Sequence, residues 1–397
     1  MSAINWNPYN PNNWLIDRVK NWFYIGRGRV ISNQDLVENG IYPVYSSQTL
    51  NNGIMGYINT YDFNGNYITW TTDGVYAGTI FLRNGKFNCT NVCGTLLAKK
   101  EIHYPYASYY LQYASEIYKR PDTNGAKIMN NEMAEIRLLI PPLETQVEIS
   151  DYLDEKVSAI DGLIDETEKS IENLKEYKIN LITETIYNFN KTLRKEKLKY
   201  YVDLKKGLSI TKADLILDGI PVISYGQIHA KINNGITMKK EMIRYVSENY
   251  LKTDRACLLK YGDYIFADTS EDLPGVGNFV LNDYEESIFA GYHSIIASPK
   301  KEFNRKFLAY EFLTNKWREQ LVILCNGTRS FSITQKILNE AYIVLPDIQT
   351  QNEIVEYLDK KCKVIEELIE VKQKKIETLK EYKKSLIYEC VTGKKVI

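Results

Sequence analysis

The chain has 397 residues with 50 basic and 50 acidic side chains, so no net charge holds it on a nucleic acid. Any affinity of that kind must come from local patches or from partner subunits. The length allows two hydrophobic cores, and no apolar run approaches what a bilayer crossing requires. Met1–Trp6 has neither a basic nor an apolar leader segment, and the six cysteines at 89, 93, 257, 325, 362 and 390 are scattered. The expected setting is a reducing cytoplasm, with free thiols and no membrane association.

In chain order, residues 1–143 alternate strand-like runs (Tyr67–Trp70, Thr79–Leu82, Gly94–Ala98) with Gly/Asn turns, followed by helix-forming Tyr106–Ile117. Asn84-Gly85 is a hairpin signal. The strand-like Leu138–Ile140 stops at Pro141, because proline forces its predecessor into extended geometry. Thr145 then sits where a helix N-cap belongs, with Glu148 at capping-box spacing. No proline follows for more than forty residues, and Leu153, Ile160, Leu174 and Leu181 recur at multiples of seven. Ile164 and Ile171 accompany them, interrupted by polar Thr167 and Lys178. This spacing predicts a coiled-coil seam over a helix in 144–196.

Residues 197–343 repeat the plan. Gly28–Leu36 parallels Gly207–Leu215, Gly40–Val44 parallels Gly219–Val222, Tyr67–Trp70 parallels Tyr264–Ala267, and a helix-like Phe307–Leu324 answers Tyr106–Ile117. A shift of 205 then superposes Leu138–Ile186 on Ile343–Val391 without a gap, and about half of the aligned positions are identical. Leu174–Lys178 and Leu379–Lys383 agree letter for letter. Residues 344–397 are therefore a second long helix, with Thr350 as its N-cap and Glu353 completing the box. The helical segments differ in charge: 144–196 holds seven basic and thirteen acidic residues, 344–397 eleven and ten. Unlike charge predicts that each helix prefers the other to a copy of itself. The fold class is α+β. Two domains of mixed α/β structure are each followed by a long helix, and the helices pair as an antiparallel coiled coil with pseudo-two-fold symmetry.

Catalytic signatures fail one by one. There is no phosphate loop; Gly26-Arg27-Gly28-Arg29 is too short and too basic for a dinucleotide fingerprint. Asn7-Pro8-Tyr9 lacks the second proline of an amino-methyltransferase motif. Cys89 and Cys93 have only His103 nearby to complete a zinc site and read as buried thiols. Three histidines leave little room for a triad, and Asp268 and Glu271 belong to a turn. Polar and basic loops at matched places in the two halves are the richer signal. Arg27, Arg29, Ser46, Ser47, Gln48 and Lys127 stand in the first half; Tyr225, Gln227, His229, Asn326, Thr328, Arg329 and Ser330 stand in the second. These side-chain types read base edges and grip phosphates.

The doubled motif Pro-x-x-x-Thr-Gln-x-Glu-Ile-x-x-Tyr-Leu-Asp, at Pro141–Asp154 and Pro346–Asp359, resembles that of the specificity subunits of type I restriction–modification systems. The long helix after each copy, and the domain of about 140 residues before it, match as well. The family's usual acidic residue before the glutamine is replaced here by Thr145 and Thr350. The resemblance implies that 1–143 and 197–343 are target-recognition domains, each reading half of a bipartite double-stranded DNA sequence. The helices would set the spacer between half-sites, about one DNA turn apart, and dock two methyltransferase subunits. Gln146, Glu148, Tyr152, Leu153, Gln351, Glu353, Tyr357 and Leu358 are the docking candidates. The chain itself would be non-catalytic and bind no cofactor. S-adenosylmethionine would belong to the methyltransferase, and ATP and Mg to the restriction (translocase–nuclease) subunits. The competing expectation is a coiled-coil adaptor whose tyrosine-rich domains bind protein or glycan.

Overall fold

The computed structural model describes residues 8–123, 125–188 and 194–397. It divides into two compact units, Met1–Glu168 with Gln373–Ile397, and Lys169–Lys372. Both long helices contribute to both units. No helix among the described residues is long and apolar enough to cross a membrane.

The first unit is built on a four-stranded antiparallel sheet in the spatial order Phe23–Arg27, Cys93–Ala98, Tyr67–Thr71, Ile80–Arg83. Trp70 is fully buried in it, and its indole N–H donates to the Ile128 carbonyl at 2.9 Å. Helix Tyr104–Tyr118 covers the sheet with buried Tyr106, Ala107, Tyr110, Leu111 and Ala114, the i, i+3, i+4 spacing of one apolar face. A second sheet runs Ile54–Ile58, Tyr42–Tyr45, Lys86–Cys89, Phe63–Asn64, with its central pair parallel. The expected hairpin at Asn84-Gly85 does not form. Gly85 turns the chain at φ 85°, but the preceding strand pairs with Tyr67–Thr71 and the following one with Phe63–Asn64 and Tyr42–Tyr45.

The second unit repeats the four-stranded order with Val202–Lys206, Ser294–Pro299, Tyr264–Ala267 and Phe279–Leu281. Its core is aromatic: Phe312 lies 4.5 Å from Trp317, 5.0 Å from Phe266 and 5.2 Å from Tyr264 between ring centroids. The helix expected over Phe307–Leu324 is broken into Arg305–Leu313 and Asn315–Leu324, because Thr314 is extended and its hydroxyl caps the second piece by accepting from Trp317 N.

The long helices span Leu143–Asn188 and Ile348–Val391, about 65–70 Å each at the α-helical rise. Both begin earlier than the capping-box spacing predicts. In the second, the Asp347 carboxylate accepts from Thr350 N (2.9 Å) and its hydroxyl (2.7 Å); Thr350 is thus inside the first turn rather than at its cap. Thr145 is likewise inside its helix. The range 144–196 also overshoots: Lys195–Lys197 is a strand paired with Tyr342–Val344, so it belongs to the second sheet system. Residues 189–193 lie outside the described ones.

Of the positions at seven-residue spacing, Leu153, Ile160, Ile164 and Ile171 are buried in the first helix and Leu358, Ile365, Ile376 and Leu386 in the second, while Leu174, Leu181, Ile369 and Leu379 are half-buried. Within the first unit the helical segments run antiparallel, since Asp161 pairs with Lys383 (2.6 Å) and Glu168 with Lys380 (3.9 Å). Within the second, Lys178 pairs with Glu366. Lys178 and Lys383, polar interruptions of the heptad at equivalent positions, each meet a carboxylate.

Tyr187, near the end of the first helix, donates to the fully buried Glu311 carboxyl group at 2.7 Å. Burial pushes the Glu311 pKa up from 4.5 to about 8. The folded unit holds this proton where the unfolded chain has released it. Its stabilising effect is therefore complete below pH 4.5 and lost as pH rises to about 8. We expect the stability of the second unit to fall by up to about 4 kcal/mol across that range. Denaturant titrations of Glu311→Gln at several pH values should show a flatter dependence; an unchanged slope would assign the pH effect elsewhere.

Candidate nucleic-acid interface

In the first unit, candidates far apart in sequence converge on one turn, Cys89–Cys93. Cys93 N donates to Thr90 O (3.0 Å) and closes it. Gly28 N donates to Cys93 O (3.0 Å), Arg29 N to Cys89 O (3.1 Å), Thr90 N to Tyr45 O (2.8 Å) and Thr72 N to Val92 O (2.9 Å). The turn thus satisfies backbone groups of three further segments. Gly28 is needed for this approach, because a Cβ there would lie 2.2 Å from the Cys89 carbonyl oxygen. Its counterpart Gly207 meets the Gly291 carbonyl oxygen at the same 2.2 Å, which accounts for the glycine shared by the two halves.

Around this turn Arg27 donates Nε to Asn91 O. Arg29 pairs with Asp62 (2.8 Å), and Lys127 with Asp122 (2.9 Å) and Asp73 (3.5 Å). Two of the three expected phosphate-binding cations are therefore already matched by carboxylates. Ser46 N donates to Gly53 O at 2.9 Å and the Gln48 amide donates to Ile54 O, so Gln48 closes its loop rather than standing free. Ser47 is half-buried beside it.

The tip of that loop was not anticipated. Asn51 (φ 49°, ψ 43°) and Asn52 (φ 52°, ψ 30°) are consecutive left-handed residues, a conformation that costs an L side chain about 1–2 kcal/mol. Arg83 supports them from below. It is only 4% exposed and has no carboxylate partner among the described residues; its Nη1 donates to Asn52 O (2.9 Å) and its Nε to Thr69 Oγ1 (3.2 Å). The guanidinium lies 3.5 Å over the Tyr45 ring and 4.4 Å from that of Phe81. Burial lowers its pKa from the usual guanidinium value.

The second unit presents different chemistry at the corresponding place. Tyr225–Ile228 is a short helix capped at Ser224, where Gln227 Oε1 accepts from Ser224 N at 3.1 Å. Tyr225 forms an aromatic cluster with His229, Tyr292 and His293 at 5.4–6.2 Å. Arg318 donates to Asn278 Oδ1 (3.0 Å), Asn278 Nδ2 lies 3.0 Å from His229 Nδ1, and His229 Nε2 lies 2.8 Å from Thr269 O. Donation by Asn278 makes Nδ1 the acceptor, leaving Nε2 to donate. An open cavity of about 440 Å³ is lined by Tyr225, His229, Ser270, Glu271, Asp272 and Asn278. Strand Phe331–Ser332 pairs with Thr269–Ser270 on its wall, and Asn326 exchanges two backbone bonds with Ser332. Thr328, Arg329 and Ser330 are thereby held as an exposed tip. Among the described residues Arg329 makes no ion pair, and no group of three or more His, Cys, Asp or Glu is placed to hold a metal.

The doubled helix motif ties each long helix to its own domain. Gln146 Oε1 accepts from His103 N (2.9 Å) while its Nε2 donates to Pro141 O (2.8 Å). Gln351 does the same with Asn304 N (2.8 Å) and Pro346 O (2.7 Å). Both glutamines and Leu153 and Leu358 are buried. Tyr109 donates to Asp154 and Tyr310 to Asp359, each at 2.7 Å. Spacing of three and four puts these residues on the helix face that meets their own domain. Gln146, Leu153, Gln351 and Leu358 are thus turned inward as anchors to their own domains. Tyr152 is half-buried and accepts from Lys395 Nζ at 2.7 Å. Glu148, Glu353 and Tyr357 stay exposed. So do Val364, Leu368 and Val371, which with Tyr357 form an outer apolar stripe on the second helix.

These features define a two-module polypeptide whose shared scaffold carries unlike loops. A family model for the type I restriction modification DNA specificity domain matches residues 11–176 and 190–381. The chain belongs to that family. A candidate type I specificity subunit of Mycoplasma pneumoniae is 29% identical over 350 residues, covering 86% of this chain and 87% of the relative. The MjaVIII type I restriction enzyme specificity subunit of Methanocaldococcus jannaschii is 26% identical over 417 residues, covering 97% and 93%. A solved chain from work on complex assembly and conformational transition of the type I R-M system shares the fold, with TM-score 0.63 at 14% identity over 97% of this chain and 99% of that one.

Removing a glutamine anchor strands a buried carbonyl and an amide. Gln146→Ala or Gln351→Ala should each cost about 2–3 kcal/mol in urea unfolding, whereas Glu148→Ala should stay within about 0.5 kcal/mol. Equal effects would remove the distinction between anchor and surface.

Proposed function

We propose that this chain is the sequence-reading, non-catalytic subunit of a type I restriction–modification complex, each module recognising half of a bipartite duplex target. The reading rests above all on one observation: the same strand order and glutamine anchors occur twice, while the loops after the matched Pro-Val strands differ. Duplicated support with divergent tips suits two modules that read different sequences.

The long helices fix the separation of the half-sites and dock two methyltransferase subunits, which bind S-adenosylmethionine. Restriction subunits using ATP and Mg join that assembly. Glu148, Glu353 and Tyr357, together with the stripe Val364, Leu368, Val371, are the docking surface we assign. The recognition segments carry little net charge, with twelve basic and ten acidic residues in 1–143 and twenty and seventeen in 197–343. Methyltransferase subunits therefore supply much of the phosphate contact.

Co-expression with the methyltransferase followed by genome-wide adenine-methylation mapping should yield one bipartite methylated motif; absence of any such motif would overturn the reading. Arg29→Gln should weaken one half-site and Arg329→Gln the other, by about tenfold each. Loss of both halves from a single substitution would point to misfolding. The chain alone should bind duplex DNA weakly and lose that binding between about 50 and 200 mM salt, as a titration in each buffer would record.

A further inference from the structure

The left-handed pair at the first unit's loop tip asks for a reason. Glycine takes such a conformation without steric cost, as Gly53 does next in the chain at φ 78°. Asparagines stand at 51 and 52 instead, both exposed. Asparagine usually tolerates this geometry by bonding its amide to nearby backbone, yet neither carboxamide bonds the protein among the described residues. Meanwhile a buried cation, Arg83, holds the Asn52 carbonyl and the loop stem is closed by the Ser46–Gly53 bond. Leu50 beside them is 82% exposed. The loop therefore keeps two strained residues rigidly in place with their amides and one apolar side chain presented to solvent.

We propose that the Leu50–Asn51–Asn52 tip reads an A·T base pair in the DNA major groove, with a carboxamide of the asparagine pair bidentate on adenine. A carboxamide offers one donor and one acceptor side by side, the complement of adenine N7 and N6. The thymine methyl of the same pair faces the same groove and suits an apolar neighbour such as Leu50. A groove about 12 Å wide admits a tight turn of this kind. The stem of the loop rests on the Cys89–Cys93 turn that also holds Arg27 and Arg29, so the basic segment is placed to grip the adjoining backbone. Arg83 is a positioning residue: it fixes Asn52 without reaching solvent itself.

This assignment rests on the DNA-reading function above, and one experiment separates the two. The full chain and its variants are co-expressed with the methyltransferase, and the methylated motif is mapped for each. Asn52→Gly and Asn51→Gly relieve the backbone, so they should fold with an unchanged melting temperature. At least one should lose preference for adenine by about tenfold at a single position in one half-site, leaving the other half intact. Asp at the same position replaces the donor by an acceptor and should shift the preference toward cytosine, whose amino group it accepts. A wild-type chain that specifies no motif overturns both readings. A wild-type bipartite motif that all these variants reproduce unchanged overturns the tip assignment alone, as does a half-site with no specified A·T pair.

Discussion

One carboxamide at the first turn of each long helix holds three pieces of chain together. Gln146 bridges the carbonyl of Pro141, at the end of a strand, and the amide of His103, at the start of the helix that covers the sheet. Gln351 makes the same bridge between Pro346 and Asn304. Without it each helix would leave its strand at an angle set by apolar packing alone, which is non-directional. Two hydrogen bonds in a buried site fix that direction. The tyrosine–aspartate bonds about two turns further along, Tyr109–Asp154 and Tyr310–Asp359, hold the helix a second time. These contacts hold each sheet in a fixed attitude to its own helix.

Much of this was legible in the sequence because it was written twice. The internal repeat aligned Tyr67–Trp70 with Tyr264–Ala267, and both prove to be the third strand in sheets of identical order. Heptad spacing marked Leu153, Ile160 and Ile171 as buried, since a period near 3.5 says which side faces a partner. What stayed hidden depended on partners distant in the chain. A glutamine in a helical pattern reads as exposed unless the amide that it meets, 43 residues earlier at His103, is known. Asn84-Gly85 fixes a local reversal but does not say which sheet receives the next strand. Arg83 ends an apolar run and looks like a surface charge, while the structure buries it on Tyr45. Asn51-Asn52-Gly53 is legible as a turn, but consecutive left-handed geometry is not.

The two modules carry different materials on their loops. The first has a loop stacked on a buried cation, beside basic residues that are partly neutralised by carboxylates. The second surrounds an open cavity with Tyr225, His229 and neighbouring carboxylates, and adds a separate exposed tip carrying Arg329. A common scaffold tolerates this because the variable segments leave the sheets at strand ends, where backbone groups are satisfied by turns rather than by the sheet ladder.

The paired lysines in the helical seam bear on how the two repeats depend on each other. Lys178 and Lys383 occupy equivalent positions, as do the carboxylates Asp161 and Glu366 that they meet. Each repeat therefore carries one lysine and one acid, seventeen residues apart, and neither can reach the other along a single helix. A chain with one such repeat would have no internal answer to either charge and would satisfy both only on a second copy of itself; two repeats in one chain make that pairing intramolecular and independent of concentration.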